Sequence, residues 1–504
     1  MANPLYDMLF ARHSDRPAPL MRLAGGGTLS YAEFLARTAQ FARLFADAGI
    51  EPGDRLALQV AKTPEALMIY AACLRAGIVF LPLNTAYTPA EIAYFVQDSG
   101  AKILICDPAR REALAPVAEH EGTRIETMGA DGLGSLAART FSLPERFETV
   151  DRSGSDLAAL LYTSGTTGRA KGAMLTQDNL LSNARTLTDL WRFAEDDVLL
   201  HALPVFHAHG LFVACNVTLM AGGSMIFLPK FDTGQVLERM PQATAMMGVP
   251  TFYTRLLAEP GFTRDAASHM RVFISGSAPM TETVHRRFED RTGHRILERY
   301  GMTETGMNTS NPYEGERRAG TVGLPLPDVE LRVTDPDTGA ERPRGETGMI
   351  EVRGPNVFAG YWNMPKKTAE EMRADGFFIT GDLGHVDADG YLTISGRKTD
   401  LIISGGYNVY PKEIEALLDT LPGIAESAVI GVPHEDFGET PLAVLIPDAP
   451  DAPDLAAVQA AMAERLARYK HPTHYEVIEE LPRNAMGKVQ KTVLKERFGR
   501  SSAA

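Results

Sequence analysis

Apolar residues in the first third of the chain recur at two spacings. Over YAEFLARTAQFARLFADAG (31–49) they fall three and four residues apart, and the run stops at Gly49, which predicts an amphipathic helix. PEALMIYAACLRAG (64–77) predicts a second helix, while DRLALQV (54–60) and AKILICD (101–107) predict short buried strands. Helices alternating with such strands predict a mainly parallel sheet covered on its faces, and the alternation continues from 151 to about 330. The texture then changes. VELRVTDPDTGAERPRGETGMIEVRG (329–354) predicts strands joined by turns, and GHVDADGYLTISGR (384–397) a hairpin turning at Asp389-Gly390. From about 400, YPKEIEALLDTLPG predicts a short helix with Pro411 near its start. ESAVIGVPHEDFGETPLAVLIP predicts a hairpin with a long loop, and DLAAVQAAMAERLARYK another helix. The expected fold is a large α/β N-terminal domain over 1–397, with mixed, mainly parallel sheets covered by helices plus a β-rich subdomain. A small α+β C-terminal domain is expected over 398–504.

Length and charge narrow the function classes. At 504 residues the chain exceeds a single core, and 44% apolar with 23% charged residues is the balance of a soluble globular protein. A formal net charge of −14 argues against nucleic acid, whose phosphate backbone needs a basic face; a small anion needs only a few local cations. Cys73, Cys106 and Cys215 stand far apart, so neither a disulfide framework nor a zinc knuckle is expected, and a reducing, cytoplasmic location is. The opening MANPLYDMLFARHSDRP carries charges inside its apolar stretch, unlike a signal peptide. No apolar run approaches the ~18 residues of a membrane span. The DADG turn lacks the ligands of a calcium loop, which end in a twelfth-position glutamate.

The densest chemistry lies in YTSGTTGRAKG (162–172), which follows the apolar run LAALLYT. Four hydroxyl side chains and three glycines surround one lysine. Glycines admit backbone N–H groups to an anion, hydroxyls donate further bonds, and Lys171 adds charge, which together make a phosphate cradle. It is not a Walker A loop, because Ala170 precedes Lys171 and Gly172 follows it.

This loop resembles the signature loop of the adenylate-forming enzymes, which include acyl-CoA synthetases, the adenylation domains of peptide synthetases and firefly luciferase. Three further segments resemble that family's motifs, in its order: RYGMTETG (299–306), ITGDLGHVDADGYLTISGRKTDLIISGGYNV (379–409) and PRNAMGK (482–488). The resemblance implies a two-step reaction. A carboxylate attacks the α-phosphorus of ATP, giving an acyl-adenylate and pyrophosphate; a thiol, usually that of coenzyme A, then displaces AMP. By the same resemblance, Thr163, Ser164, Gly165, Thr166, Thr167, Gly168 and Lys171 hold the β- and γ-phosphates. Tyr300 stacks on adenine beside Gly301 and Met302, Thr303 bonds the α-phosphate, and Glu304 ligates Mg²⁺. Gly276, Ser277 and Ala278 border the adenine and the acyl group, and Asp382 and Arg397 bind the ribose hydroxyls. Ser404, Gly405, Gly406 and Tyr407 line the tunnel for the pantetheine arm of coenzyme A.

Two stretches bear on the acyl group. In LPVFHAHGL (203–211), His207 resembles the family's residue beside the reacting carboxylate; with His209 it forms an HxH pair that has no nearby third ligand for a metal. GVPTFYTRLLAEPG (248–261) resembles one wall of the acyl pocket. Phe252, Tyr253, Leu256 and Leu257 form its apolar face, so periodicity alone leaves Arg255 at the surface. VPTFYTR, SGSAPM and YGMTETGMNTSNPYEGERRAGTVG together resemble malonyl-CoA synthetases, in which an arginine and a serine at the positions of Arg255 and Ser277 hold the distal carboxylate of malonate. Arg286 and Arg287 are rival cations on a polar helix. The implied activity is an ATP-dependent malonyl-CoA synthetase that also takes methylmalonate. A medium-chain or aryl acyl-CoA synthetase, and a free-standing adenylation enzyme that loads a carrier protein, stay open.

Judged by its neighbours, Lys488 is a solvated residue near the end of the chain. The resemblance makes it catalytic. In the family the small domain alternates about a hinge, here at Lys398 or Thr399, between presenting the lysine for adenylate formation and presenting the SGGYN loop (404–408) for thioester formation. PRNAMGK also resembles the site that protein acetyltransferases modify, and deacetylases restore, in several acyl-CoA synthetases.

Overall fold

Helix ends along the chain follow local chemistry. Ser30 Oγ accepts from Glu33 N (3.2 Å) while Glu33 Oε2 accepts from Ser30 N (2.8 Å), a reciprocal cap that starts the helix Tyr31–Asp47. Thr63 caps Pro64–Ala76, and Gly77, at φ 72°, ends it in the left-handed region. Both helices turn Phe34, Phe41, Phe45, Leu67 and Tyr70 into the core, and each such side chain contributes about 1.5–3 kcal/mol. In this computed structural model, residues 3–163, 169–404, 407–434, 437–449, 453–484 and 487–499 are described. Ser164, Gly165, Thr166, Thr167 and Gly168 of the phosphate loop, and Gly405 and Gly406 of the tunnel loop, lie outside them.

Two covered sheets carry the large domain. A six-stranded sheet runs in the order Arg124–Thr127, Ile103–Cys106, Arg55–Gln59, Val79–Pro82, Leu157–Thr163, Lys171–Thr176, parallel except for its last pair. A nine-stranded sheet has a parallel centre that includes Val198–His201, Ala245–Gly248, Val272–Ser275 and Leu297–Met302, with antiparallel edges. Four antiparallel strands, Glu330–Thr334, Gly348–Arg353, Phe378–Val386 and Leu392–Arg397, make the β-rich subdomain. A one-turn helix, Lys398–Asp400, leads to a five-stranded sheet built on the pair Ile424–His434 and Gly438–Pro447. Here the register pairs His434 with Gly438, so the connection is short where a long loop was expected. The strands take in His434, Gly438 and Glu439 of the polar HEDFGE stretch. The expected helix over DLAAVQAAMAERLARYK stops at Arg465, and a short turn, Arg468–Lys470, follows. Among the described residues no helix is long and apolar enough to cross a membrane.

Three local devices position the site. Residues 359–362 pair alongside Lys171–Thr176, with Met174 N donating to Gly360 O (2.9 Å) and Trp362 N to Gly172 O (2.7 Å), which sets Tyr361 against Lys171. The segment from His201 to Gly210 is drawn into a tight loop. Lys62 Nζ lies 2.7 Å from His201 Nδ1 and donates to His201 O (2.8 Å), while His201 Nε2 lies 2.8 Å from Gly210 O. A Cβ on Gly210 would collide with the Pro204 carbonyl, so only glycine closes this loop, after which the chain enters the π-helical turn His209–Cys215. In the small domain Gly487, at φ 71°, seats the lysine loop on Thr251 at the start of the helix Pro250–Ala258; a Cβ there would approach Thr251 Oγ1 to 2.9 Å. Gly210→Ala should cost ~1–3 kcal/mol through this collision, seen as a lower Tm by calorimetry. An unchanged Tm would contradict the close packing.

Candidate active site

The carboxyl ends of the parallel strands, where open α/β sheets bind ligands, border one large cavity of about 630 Å³. Val272–Ser275 leads into Gly276 and Ser277, and Leu297–Met302 leads into Thr303 and Glu304. The small domain completes the wall with Asn484 and Lys488. The cavity thus gathers residues more than 300 positions apart, from Thr163 to Lys488.

At one end lie Thr163, Lys171, Glu304, Tyr361 and Glu371. Glu304 is 5% exposed, and its Oε1 accepts from Thr163 Oγ1 at 3.3 Å and lies 3.1 Å from the Tyr361 hydroxyl. Burial pushes its carboxyl above the ordinary glutamate value, offset in part by hydrogen bonds and the Lys171 charge. Lys171 Nζ lies 3.2 Å from Glu371 Oε1 and 4.1 Å from the centre of the Tyr361 ring. Tyr361 and Glu371 were not anticipated. They lie between the quoted motifs; the pairing of residues 359–362 brings Tyr361 to Lys171, and the helix Pro365–Glu371 brings Glu371.

Along the cavity, Arg397 Nε pairs with Asp382 Oδ1 (2.9 Å) and the Tyr300 hydroxyl donates to Asp382 Oδ2 (2.6 Å). The three residues expected at adenine and ribose therefore form one hydrogen-bonded group, of which Arg397 lines the cavity. Lys488 enters beside it. Burial first, and then the Arg397 charge, hold its ammonium below the usual lysine value, while Asp382 and Asp400 oppose this. The Lys488 N–H donates to Asn484 Oδ1 (3.1 Å) and Asn484 N to Lys488 O (3.0 Å), which fixes the loop that carries the side chain. Ser404 is buried in a short strand and Tyr407 is exposed, stacked on Tyr469 at 4.7 Å; neither borders the cavity in this arrangement.

The other end holds His207, His209, Ser277, Arg299, Met302 and Met307. Ser277 has φ 71°, uncommon for a residue with a side chain, and its Oγ lies 3.1 Å from His209 Nδ1. Burial brings His207 down to about 4 and His209 well below its ordinary value, so both rings are neutral at pH 7. Arg299 is only 3% exposed. Its guanidinium lies against Gly276, where any Cβ would collide with it. Among the described residues, the Nε and one terminal nitrogen of Arg299 and the Nε2 atoms of His207 and His209 are buried without a hydrogen-bond partner. Burial lowers the Arg299 guanidinium to about 9, still cationic at pH 7. These four nitrogens belong to residues that line one end of the cavity, and buried donors of this kind suit an oxygen-rich anion.

Arg255 does not belong to it. Tyr253, Leu256 and Leu257 are buried on the helix Pro250–Ala258, the 3.6-residue period leaves Arg255 on the exposed face, and it does not line the cavity. Arg286 and Arg287 are exposed as well. The buried cation is Arg299, the first letter of the quoted RYGMTETG motif. Its place on an inward-facing strand after the buried Leu297 and Glu298 was the available signal.

Two family models match the chain, the AMP-binding enzyme over residues 8–362 and the AMP-binding enzyme C-terminal domain over 413–488. A feruloyl-CoA synthase of an Amycolatopsis species is 38% identical, covering 94% of this chain and 95% of its own. A malonate–CoA ligase of Arabidopsis thaliana is 36% identical, covering 83% and 74%. The crystal structure of ATP-bound MatB from Rhodopseudomonas palustris superposes with a TM-score of 0.97 at 55% identity, over 99% of both chains. Apo MatB from the same organism, also over 99% of both chains, gives 0.87, so the arrangement here is nearer the ATP-bound one. The site and these relatives agree: the chain belongs to the AMP-binding enzyme family and is an AMP-forming acyl-CoA synthetase, a ligase.

Proposed function

We propose that this enzyme is a malonyl-CoA synthetase, which joins malonate to coenzyme A through malonyl-adenylate, with ATP leaving as AMP and pyrophosphate. The observation that carries this reading is the buried Arg299 guanidinium, two of whose nitrogens have no hydrogen-bond partner among the described residues. A second carboxylate on the substrate satisfies it bidentately, and with Ser277 Oγ–H bonded to His209 Nδ1 the His209 Nε2–H donates alongside. Acetate, a fatty acid or ferulate leaves it buried and unpaired. That argument outweighs the 38% identity to a feruloyl-CoA synthase, which speaks for an aryl acid. Met302 and Met307 border this end of the cavity with pliable apolar side chains, which leave room for the methyl of methylmalonate.

In the first step a carboxylate oxygen of malonate bonds to the α-phosphorus and the bond to the pyrophosphate oxygen breaks. Thr303 and Lys488 stabilise the charge that gathers on the phosphoryl oxygens, and Lys171 holds the outgoing phosphates. Neutral His207 borders the reacting carboxyl as a hydrogen-bonding wall. The ribose is held by Asp382 and Arg397, and the adenine lies by Tyr300 and the backbone of Gly276–Ala278. Glu304 suits Mg²⁺, being a hard oxygen donor on the cavity wall, and Thr163 beside it would orient a bound water; the ion's charge would neutralise phosphate oxygens. In the second step the coenzyme A sulfur bonds to the acyl carbon and AMP leaves. Lys488 must then withdraw, and we propose that residues from 398 onward turn about Lys398 or Thr399 as a mobile domain that brings Ser404 and Tyr407 to the site. The exposed Ile403, Tyr407 and Phe437 fit a surface that becomes covered in that second arrangement. Acetylation of Lys488 by a protein acetyltransferase would remove the charge that the first step uses, and a deacetylase would restore it.

Arg299→Met should lower kcat/KM for malonate on the order of a few hundred- to several thousand-fold, with acetate no worse, in a pyrophosphate-release assay. Arg255→Ala should leave it within about twofold. Equal malonate activity in Arg299→Met would remove the dicarboxylate reading. Lys488→Ala should abolish adenylate formation yet still convert supplied malonyl-adenylate to the thioester, and acetylated protein should behave alike until deacetylated. Equal loss of both halves would refute domain alternation.

A further inference from the structure

Lys171 meets a carboxylate of its own chain at the phosphate end of the cavity. Glu371 closes the helix Pro365–Glu371, and three groups converge on it: Lys171 Nζ at 3.2 Å, Lys367 Nζ at 3.0 Å, and the Tyr361 hydroxyl, which donates to Oε2 at 2.7 Å. The Lys171 and Glu371 side chains are 14% and 22% exposed, so water screens their attraction less than that of a surface pair. Both line the cavity. Glu304 stands on the other side of the same Tyr361 hydroxyl, so a polyphosphate arriving here meets two carboxylates as well as the lysine. One ammonium cannot serve a carboxylate and a phosphate at full strength.

We propose that Glu371 is an internal competitor for the terminal phosphates: it holds Lys171 by charge, yields it to ATP, and takes it back as pyrophosphate leaves. The proposal rests on Lys171 serving the phosphate end. Its consequence is a tax on affinity, because a site whose lysine is engaged about nine-tenths of the time binds roughly tenfold more weakly than its intrinsic constant. In return, pyrophosphate release is assisted, and in many enzymes product release limits turnover.

Glu371→Gln keeps the size and the Tyr361 hydrogen bond and removes the charge. Calorimetry on the full-length variant should show ATP and pyrophosphate each bound roughly five- to tenfold more tightly, and pyrophosphate a stronger product inhibitor. Glu371→Ala should shift both constants in the same direction. Unchanged or weaker binding in both variants would overturn the proposal. Lys171→Met separates the two premises. If it weakens ATP binding while Glu371→Gln changes nothing, the phosphate role of Lys171 stands and the competitor fails. If Lys171→Met leaves ATP binding unaltered, the underlying reading fails. In the Lys171→Met background, Glu371→Gln should have lost its effect; a full effect there would show that Glu371 acts on the phosphates without the lysine, against the proposal.

Discussion

A guanidinium buried without a counter-ion among the described residues is the constraint on which the site is organised. Such a charge is expensive to hold in a protein interior, and Arg299 is kept there by its strand and by Gly276, whose missing side chain makes the space. An anion bound against it would offset that cost. The neutral state of His207 and His209 follows from the same burial, and it leaves Arg299 the dominant charge at that end. Ser277, bent into a left-handed conformation, turns its hydroxyl toward His209 and so joins the group.

The second organising feature is that no single domain owns the cavity. The lysine loop reaches it because Gly487 fits against Thr251 and because Asn484 ties the loop on itself. Arg397, at the end of the last strand before the one-turn helix Lys398–Asp400, pairs with Asp382 and lies within electrostatic reach of Lys488. Arg397 and Asp382 of the large domain are therefore coupled electrostatically to the small domain's lysine.

Periodicity and turn residues made the layered α/β architecture and most element positions legible, because capping boxes and glycine stops act over a few residues. The strand ends of the central hairpin in the small domain were not, since polar residues such as His434 and Glu439 pair readily when a partner strand is present. The residues that the resemblance assigns to the nucleotide stand in quoted motifs, and the structure brings Thr163, Lys171, Thr303, Glu304 and Arg397 of them to one cavity. Arg255 was misplaced by resemblance, although its helical period had pointed outward. Arg299, Tyr361 and Glu371 were missed because their places arise from tertiary packing: a strand side chain against a glycine, and a segment, 359–362, bridged to Lys171–Thr176. Such contacts leave no local spacing to read.

The central claim is that an unpaired buried arginine selects a dicarboxylate. The most direct measurement is kcat/KM of the unaltered enzyme, by pyrophosphate release, for malonate, methylmalonate, succinate, acetate, octanoate and ferulate with ATP, Mg²⁺ and coenzyme A. The account predicts malonate first, methylmalonate next, and the monocarboxylates lower by about a hundredfold or more. A preference for ferulate or octanoate over malonate would contradict it.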